Sequence, residues 1–534
     1  MHLPKLQAVG TREAESRTIG EQFICDLAHS PPLPYILPYR VFEIAGPSEQ
    51  PGRFNREETS VKQWQRFFAV VLAAALILPA GIASAGGYNL AGVGAKALSM
   101  SGSFRAIADD WSATYWNPAG LAGQATSITL EAKALYPLVW ITPNVTSPYV
   151  GYEGYVNGVE QSSREKAFPS GAFGLTYQLN EKMTAAFSVF APSALGADFT
   201  GLYTGPPYGY NNTVPFPDDA WFSDMKVIDM HPAVGYQATD QLSLGLGISI
   251  QYATVTLRSP SQIPTGAPFP VEHFYATGEL EGTGVGFGFN VGAKYDATEQ
   301  LHIGLCYRGP LTIPLSGTMT QALYLPYSPG VSAALAADAD PARAALAPLF
   351  LGGKRTSTPD GDADLPIPME FGAGIAYDVN EQLTIAADFN WVNWATADKI
   401  EIKVSGNDPT GQPAEDQTIV LDYEDTIRLN VGLSYVVIPD QFELYAGYYL
   451  DPTPIPDGTV RPTITDVADK HNLSIGAGYW INENLLLQPY WEHVWSGERT
   501  VGMIDIDSNG TIDNLAGDWK MQVDTFGFQL GYRF

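Results

Sequence analysis

The chain has 534 residues, of which 16% are charged and 12% aromatic, with 53 glycines, 40 prolines and a net charge of −28. Soluble domains carry about 25% charged residues, so this composition points to a β-rich membrane protein in which glycine tolerates curvature and aromatic residues gather at interfaces. The acidic balance excludes nucleic acid as a partner, because phosphates need Lys and Arg. Cys25 and Cys306, the two cysteines, lack ligand spacing, which excludes a zinc ribbon or a CxxC redox centre.

Residues 1–60 mix prolines, charges and scattered apolar positions without periodicity, and no Met falls between Met1 and Met100. They read as an extension upstream of a translation start near Val61, with a cytoplasmic pro-segment as the rival reading. Residues 61–85 read as a secretory signal. Lys62 and Arg66 precede an apolar run at 67–83, and Ala83-Ser84-Ala85 closes it, so the mature chain is expected to begin at Gly86. A membrane anchor is the alternative for this run. Residues 86–124 are rich in Gly and Ala, without alternation, and suggest short helices and turns.

Alternating strands begin near Ile128 and run to the C-terminus, so 125–534 reads as one β-domain. Six times an apolar, glycine-containing stretch reaches a Tyr, an acidic residue follows four or five positions later, and a large apolar residue two positions after that. The copies are Tyr177…Glu181…Met183, Tyr236…Asp240…Leu242, Tyr295…Glu299…Leu301, Tyr377…Glu381…Leu383, Tyr435…Asp440…Phe442 and Tyr479…Glu483…Leu485. Each reads as strand, tight turn, strand, and a Tyr before each turn suits an aromatic girdle at one membrane face. With both termini in the periplasm, six turns predict an all-β, fourteen-stranded antiparallel transmembrane barrel. Seven longer connections are expected outside, near 141–169, 201–224, 259–280, 321–363, 405–415, 452–467 and 503–516. The 321–363 connection holds SAALAADADPARAALAPLF, whose Ala and Leu favour helix. In the last strand Phe526, Phe528, Leu530, Tyr532 and Phe534 share one face. Tyr532 and the terminal Phe534 fit the signal read by the barrel-assembly machinery.

The stretch GVGAKALSMSGSFRAIADDWSATYWNPAGLAG, with Ala108-Asp109-Asp110 and Asn117-Pro118-Ala119, resembles the hatch of the FadL/TodX family of outer-membrane transporters for long-chain fatty acids and hydrocarbons. GFGFNVGAKY, IGLCYRGP, LPIPMEFGAG and the closing FGFQLGYRF resemble the same family, so the similarity spans about 86–534. The resemblance implies a barrel plugged from within by a small helical hatch at 86–124. It implies hydrophobic cargo captured among outer loops, bound inside and released sideways into outer-membrane lipid through a gap at a kinked third strand. By alignment the kink falls at Ala191-Pro192-Ser193, and Pro192 fits because it cannot donate a ladder hydrogen bond. Asn117, Pro118 and Ala119 are expected to hold the hatch near that strand.

Arg258 and Lys399 are candidates for a cargo carboxylate, with exposed strand-end charges as the alternative. If neither faces the lumen, an uncharged hydrocarbon is the expected cargo. Asp505, Asp507, Asn509 and Asp513 match the start of a calcium loop, but Ala516 stands where a bidentate Glu belongs, so an ordinary polar loop competes with calcium. Asp109 and Asp110 read as capping groups rather than an acid/base pair. No nucleophile elbow, HExxH or P-loop occurs, and no cofactor is otherwise expected. The expectation is a monomeric, non-enzymatic channel, with a general porin or a structural or adhesive barrel as the other classes.

Overall fold

The computed structural model describes residues 87–145, 157–203, 214–264, 273–464, 466–506 and 512–534. The extension and the signal, 1–60 and 61–85, lie outside the described residues. Among those described, fourteen antiparallel strands close into a barrel. They are β1 (Ser127–Pro143), β2 (Phe168–Asn180), β3 (Met183–Phe199), β4 (Trp221–Gln237), β5 (Leu242–Pro264), β6 (His273–Asp296) and β7 (Leu301–Arg308, then Leu311–Tyr324). They continue as β8 (Lys354–Ser357, Asp360–Ile367, then Glu370–Asp378), β9 (Leu383–Val392, then Lys399–Ser405) and β10 (Gln417–Val420, then Thr426–Ile438). The last four are β11 (Phe442–Asp451), β12 (Lys470–Trp480), β13 (Leu485–Ser496) and β14 (Gly517–Arg533). The seam closes by pairing β1 with β14 from Ser127↔Arg533 to Pro143↔Gly517, so no edge is left for another chain to extend.

All six tight turns fall where the Tyr–acid–apolar repeat places them, for example between Asn180 and Met183 and between Trp480 and Leu485. The copy with one extra residue carries a register shift between Val436 and Ile438. Five of the six repeat tyrosines are exposed: Tyr177, Tyr236, Tyr295, Tyr435 and Tyr479. Phe526, Phe528, Leu530, Tyr532 and Phe534 are exposed too, while the alternate Gln529 is buried. The wall is thus apolar outside and polar inside. No described helix is long and apolar enough to cross a membrane; the apolar band is built from strands.

The lumen holds residues 87–124, with helices α1 (Ala95–Ser99) and α2 (Ala113–Trp116) and a 3-10 turn at Pro118–Leu121. Lumen-facing polar side chains grip this plug all round. Gly94 N donates to Glu131 of β1 (3.0 Å), Ala95 N to Gln529 of β14 (3.2 Å), Ser101 Oγ to Asn472 of β12 (2.6 Å), and Asn290 of β6 donates to Thr114 O (2.8 Å). The wall also makes room. A Cβ at Gly292 of β6 would collide with Asn117, and one at Gly245 of β5 with the Pro118 backbone.

Above the plug, β7, β9 and β10 each break once, at 309–310, 393–398 and 421–425, and β8 breaks twice, at 358–359 and 368–369. Pro310 and Pro368 remove ladder donors at two of these breaks. The outer connection between β7 and β8 carries helices α3 (Pro329–Ala336) and α4 (Pro341–Ala344), the latter capped by Asp340 accepting from Ala342 N at 2.9 Å. One expected loop is wrong in extent. Most of 259–280 is strand, because β5 and β6 stay paired to Pro264↔His273. Residues rich in Ser, Pro and Gly remain extended there because Phe274, Ala276, Leu323 and Leu325 bury against one another. Likewise β7 reaches Tyr324 and β8 resumes at Lys354, so the 321–363 connection is shorter than expected.

Candidate functional site: cavity, arm and side window

Three features adjoin in the upper barrel. The first is a cavity of about 440 Å³, within the range of small-molecule sites. Its walls are mostly apolar, with Leu195, Trp221, Met225, Leu257, Leu365 and Leu421 among them, and Tyr88 belongs to its lining.

The second feature is the start of the plug, an extended arm. Leu90 N donates to Pro192 O at 2.9 Å, Ala194 N donates to Tyr88 O at 3.0 Å, and Ser193 Oγ donates to Asn89 Oδ1 at 3.0 Å. Asn89 and Ser193 are thus antiparallel bridge partners. Tyr88 packs edge-on against Trp394 with centroids 4.8 Å apart, and its hydroxyl donates to Pro366 O. Gly87 N donates to Asp466, whose other oxygen lies 2.5 Å from Lys470 Nζ. Burial pushes the Asp466 carboxyl up to about 6, with Lys470 opposing. A smaller cavity of about 110 Å³ lies behind the arm, lined by Leu90, Ala194, Leu135 and Val523 but also by Lys133, Asp451 and Glu492.

The third is a gap in the wall. The β2–β3 ladder runs from Asn180↔Met183 up to Phe173↔Val189 and stops. Beyond it β2 keeps its partners on β1 as far as Leu135↔Phe168. On the other side, β3 pairs with β4 through a register shift between Phe190 and Ser193. Ala191, Pro192 and Ser193 therefore lie at the irregularity, beside the arm. The strand is not broken: it stays extended through Phe199, with its pairing to β2 lost and its register on β4 shifted at Ala191 and Pro192.

The expected hatch residues are placed differently from one another. Asn117 Nδ2 donates to Arg105 O (2.8 Å) and to Ala293 O of β6 (3.1 Å), while Ala119 N donates to Asn117 Oδ1 (3.2 Å). The Asn117-Pro118-Ala119 turn thus sits against β5 and β6 rather than at the Ala191–Ser193 irregularity of β3, because the glycines that admit it are Gly245 and Gly292. Asp109 is bound by Lys96 at 2.6 Å, and Asp110 accepts from Ser112 N at 2.8 Å.

Arg258 sits at the cavity's edge, but its guanidinium is held by Glu279 and by Asp219 at 2.9 Å, and it lies 5.6 Å from the Phe222 ring. Arg258 belongs to the cavity lining beside Leu257 and Leu280, so it reaches the cavity as one half of ion pairs that Glu279 and Asp219 already satisfy. Lys399 is exposed and paired with Glu401 at 2.7 Å, while its neighbour Ile400 lines the cavity. Of the two basic candidates, Arg258 lies in the cavity lining with its charge already paired, and Lys399 lies outside it. A basic residue that sequence reading passed over, Arg461, lines the cavity, with Nε donating to Asp513 O at 3.0 Å. Of the calcium-like loop, Asp513 Oδ2 accepts from Ile506 N at 2.8 Å and Asp505 is also described; Asp507 and Asn509 lie outside the described residues.

Two buried networks join plug to wall. Arg105, fully buried, reaches Glu370 and Asp388 (3.2 Å), and Arg308 shares Glu370 at 2.7 Å. Asp229, His231 and Ser249 have the residue types of a hydrolytic triad but the wrong wiring. Ser249 donates to Asp229 rather than to the imidazole, and His231 Nε2 lies 3.0 Å from Asn290 Oδ1. A nucleophile activated by a base needs a direct contact between the two, which this arrangement does not make.

The sequence profile of the family described as outer membrane protein transport protein (OMPP1/FadL/TodX) matches residues 76–534. The chain belongs to this family, and its place is the outer membrane as a multi-strand β-barrel. It is similar to a 47 kDa outer membrane protein of Pasteurella multocida, with 23% identity over 492 residues, 88% of this chain and 99% of that one. It is also similar to a long-chain fatty acid transport protein of Escherichia coli, with 23% identity over 71% of this chain and 80% of that one. Among solved structures, a Pseudomonas aeruginosa FadL homologue matches with a TM-score of 0.65 at 18% identity, covering 84% of this chain and 100% of that one. The Pseudomonas putida toluene transporter TodX matches with a TM-score of 0.61 at 15% identity, with the same coverage. At these identities the structures establish the fold: a fourteen-stranded, hatch-bearing barrel.

Proposed function

We propose that the chain is a passive outer-membrane channel for hydrophobic small molecules, which bind in the apolar cavity above the plug and leave through the side window into lipid. The observation that carries this reading is the adjacency of three parts. The cavity includes Tyr88 in its lining, the Tyr88–Leu90 arm is hydrogen-bonded to β3, and β3 is unpaired from β2 at that height. Moving the short arm connects cavity to window while Arg105, Asn117 and the other ties keep the plug in place. Exit into the bilayer spares an apolar molecule the polar, charge-lined lower lumen. Transport is then a series of binding steps with no covalent chemistry.

The cargo is uncharged in this reading. Arg258 is already neutralised by Glu279 and Asp219, and Lys399 is exposed and paired with Glu401, so neither is a spare charge for a carboxylate head. Arg461, whose Nε donates to Asp513 O, is the basic group in the lining that a carboxylate would have to use. The relatives named for fatty acid and for toluene bracket the choice. Mass spectrometry of material extracted from protein purified in mild detergent tests it. An alkane, ester or ring hydrocarbon is the expected ligand. A free fatty acid in stoichiometric amount overturns the uncharged assignment. An empty cavity together with free leakage of small sugars from reconstituted liposomes points to a porin instead.

A further inference from the structure

The window between β2 and β3 is bounded above and below. Below it, the ladder resumes at Phe173↔Val189. Above it, the segment preceding β2 is stitched to both neighbours: Ser163 N donates to Val139 O of β1 at 2.8 Å, and Arg164 N to Asp198 O of β3 at 2.6 Å. Ser163 also forms an antiparallel bridge with Phe199. Between these limits lie residues 168–172 of β2 and the upper half of β3.

Among the described residues, Phe168 reaches across this opening from β2 to β3. Phe168 alternates with Ser170, Ala172 and Gly174 on the inward face of β2, the face on which Gly174 meets Trp111 of the plug. At this height Leu195 lines the cavity and Ala197 is in the core, so Gly196 presents the outer surface of β3. The Phe168 ring lies on that surface: a Cβ built at Gly196 would come within 2.9 Å of Cε1 and 3.0 Å of Cζ. The ring is half-buried, and Lys166 Nζ stands 5.6 Å from its centroid.

We propose that Phe168 is the shutter of the side window and sets the width of cargo that can leave, an inference that rests on the side-exit reading. The physical reason is a contrast in what must break. Widening the gap by separating strands would sever ladder hydrogen bonds facing lipid, where each unsatisfied group is expensive. Swinging one aromatic side chain about χ1 breaks none. It gives up ring contacts, those with Gly196 and Lys166 among them, and an apolar passenger replaces them. Gly196 is the seat, because any larger residue there would lift the ring from β3. Residue 168 therefore acts after the cavity: it selects by girth at the exit and leaves binding alone.

Proteoliposomes carrying wild type, Phe168→Ala, Phe168→Trp and Gly196→Ala test this with a slim and a bulky probe, a fluorescent linear hydrocarbon and a multi-ring hydrocarbon. Heat-modifiable electrophoretic mobility confirms folding of each. Phe168→Ala is expected to raise the initial uptake of the bulky probe severalfold more than that of the slim one. Gly196→Ala should act in the same direction, and Phe168→Trp in the opposite one. Cavity affinity, measured by equilibrium titration in detergent, should be unchanged in all three. The control is a disulfide between the arm and β3, Asn89→Cys with Ser193→Cys. If Phe168→Ala passes both probes at the wild-type ratio while that disulfide still stops uptake, the shutter is wrong and the side exit stands. If the disulfide leaves uptake intact, the side exit fails and the shutter with it.

Discussion

Oxidised Asn89→Cys/Ser193→Cys protein is expected to lose hydrophobic uptake down to the level of vesicles without protein, and to regain it on reduction. Positions 89 and 193 are antiparallel bridge partners joined by a side-chain hydrogen bond of 3.0 Å. Such partners have Cα atoms roughly 4.5–5.5 Å apart, inside the span a disulfide tolerates. Cys306, the cysteine already present in the described chain, is buried in β7 and offers no competing partner. The crosslink adds no bulk to the cavity and removes no apolar contact there, so ligand should still bind from outside. What it forbids is separation of the arm from β3. Full uptake by the oxidised form would mean that cargo passes without moving the arm.

Replacing Arg105 by Met should loosen the plug while sparing the barrel. Arg105 is 2% exposed and is shared between Glu370 and Asp388. Removing one partner of a buried ion pair typically costs about 3–5 kcal/mol, because a charge is left unpaired. The lower end applies here, since Arg308 still holds Glu370 and the Phe104 and Arg105 amides still donate to Asp388. Expected results are leakage of small sugars, faster hydrogen exchange across residues 95–121, and an unchanged strand signal in circular dichroism. Adding Asp388→Asn to Arg105→Met removes the orphaned charge and should recover a substantial part of the loss. A single variant that stays sealed would show that the remaining ties are sufficient to hold the plug.

Features set by neighbouring residues were legible in the sequence, and features set by distant ones were not. The six turns were readable because Tyr, acid and apolar residue recur within seven or eight positions, and the terminal strand because its alternation is complete. Pro192, through its own missing donor, marked the place where the β3–β4 register shifts. The arm that pairs with it, Tyr88–Leu90, lies about a hundred residues earlier and carries no local sign of that pairing. Arg105 escaped notice because its partners are 265 and 283 residues away. Arg258 does lie in the cavity lining, but the carboxylates that neutralise it, Asp219 and Glu279, are 39 and 21 residues away and carried no local sign of the pairing. The long β5–β6 hairpin was mistaken for a loop because SPSQIP reads as turn chemistry, although packing by Phe274, Leu323 and Leu325 overrides it.

Lateral exit into lipid can be read out by locating where cargo emerges. Liposomes containing the protein in one orientation can carry a quencher either within the bilayer or in the enclosed water. A fluorescent hydrocarbon is then presented outside, bound to a carrier protein so that direct partitioning is slow. With lateral exit, the bilayer quencher acts at once and at the full rate of uptake, while the aqueous quencher acts only after the probe has spread from the membrane. Immediate quenching from the enclosed water, with a delayed bilayer response, would show that cargo passes down the lumen and would contradict the side window as the exit.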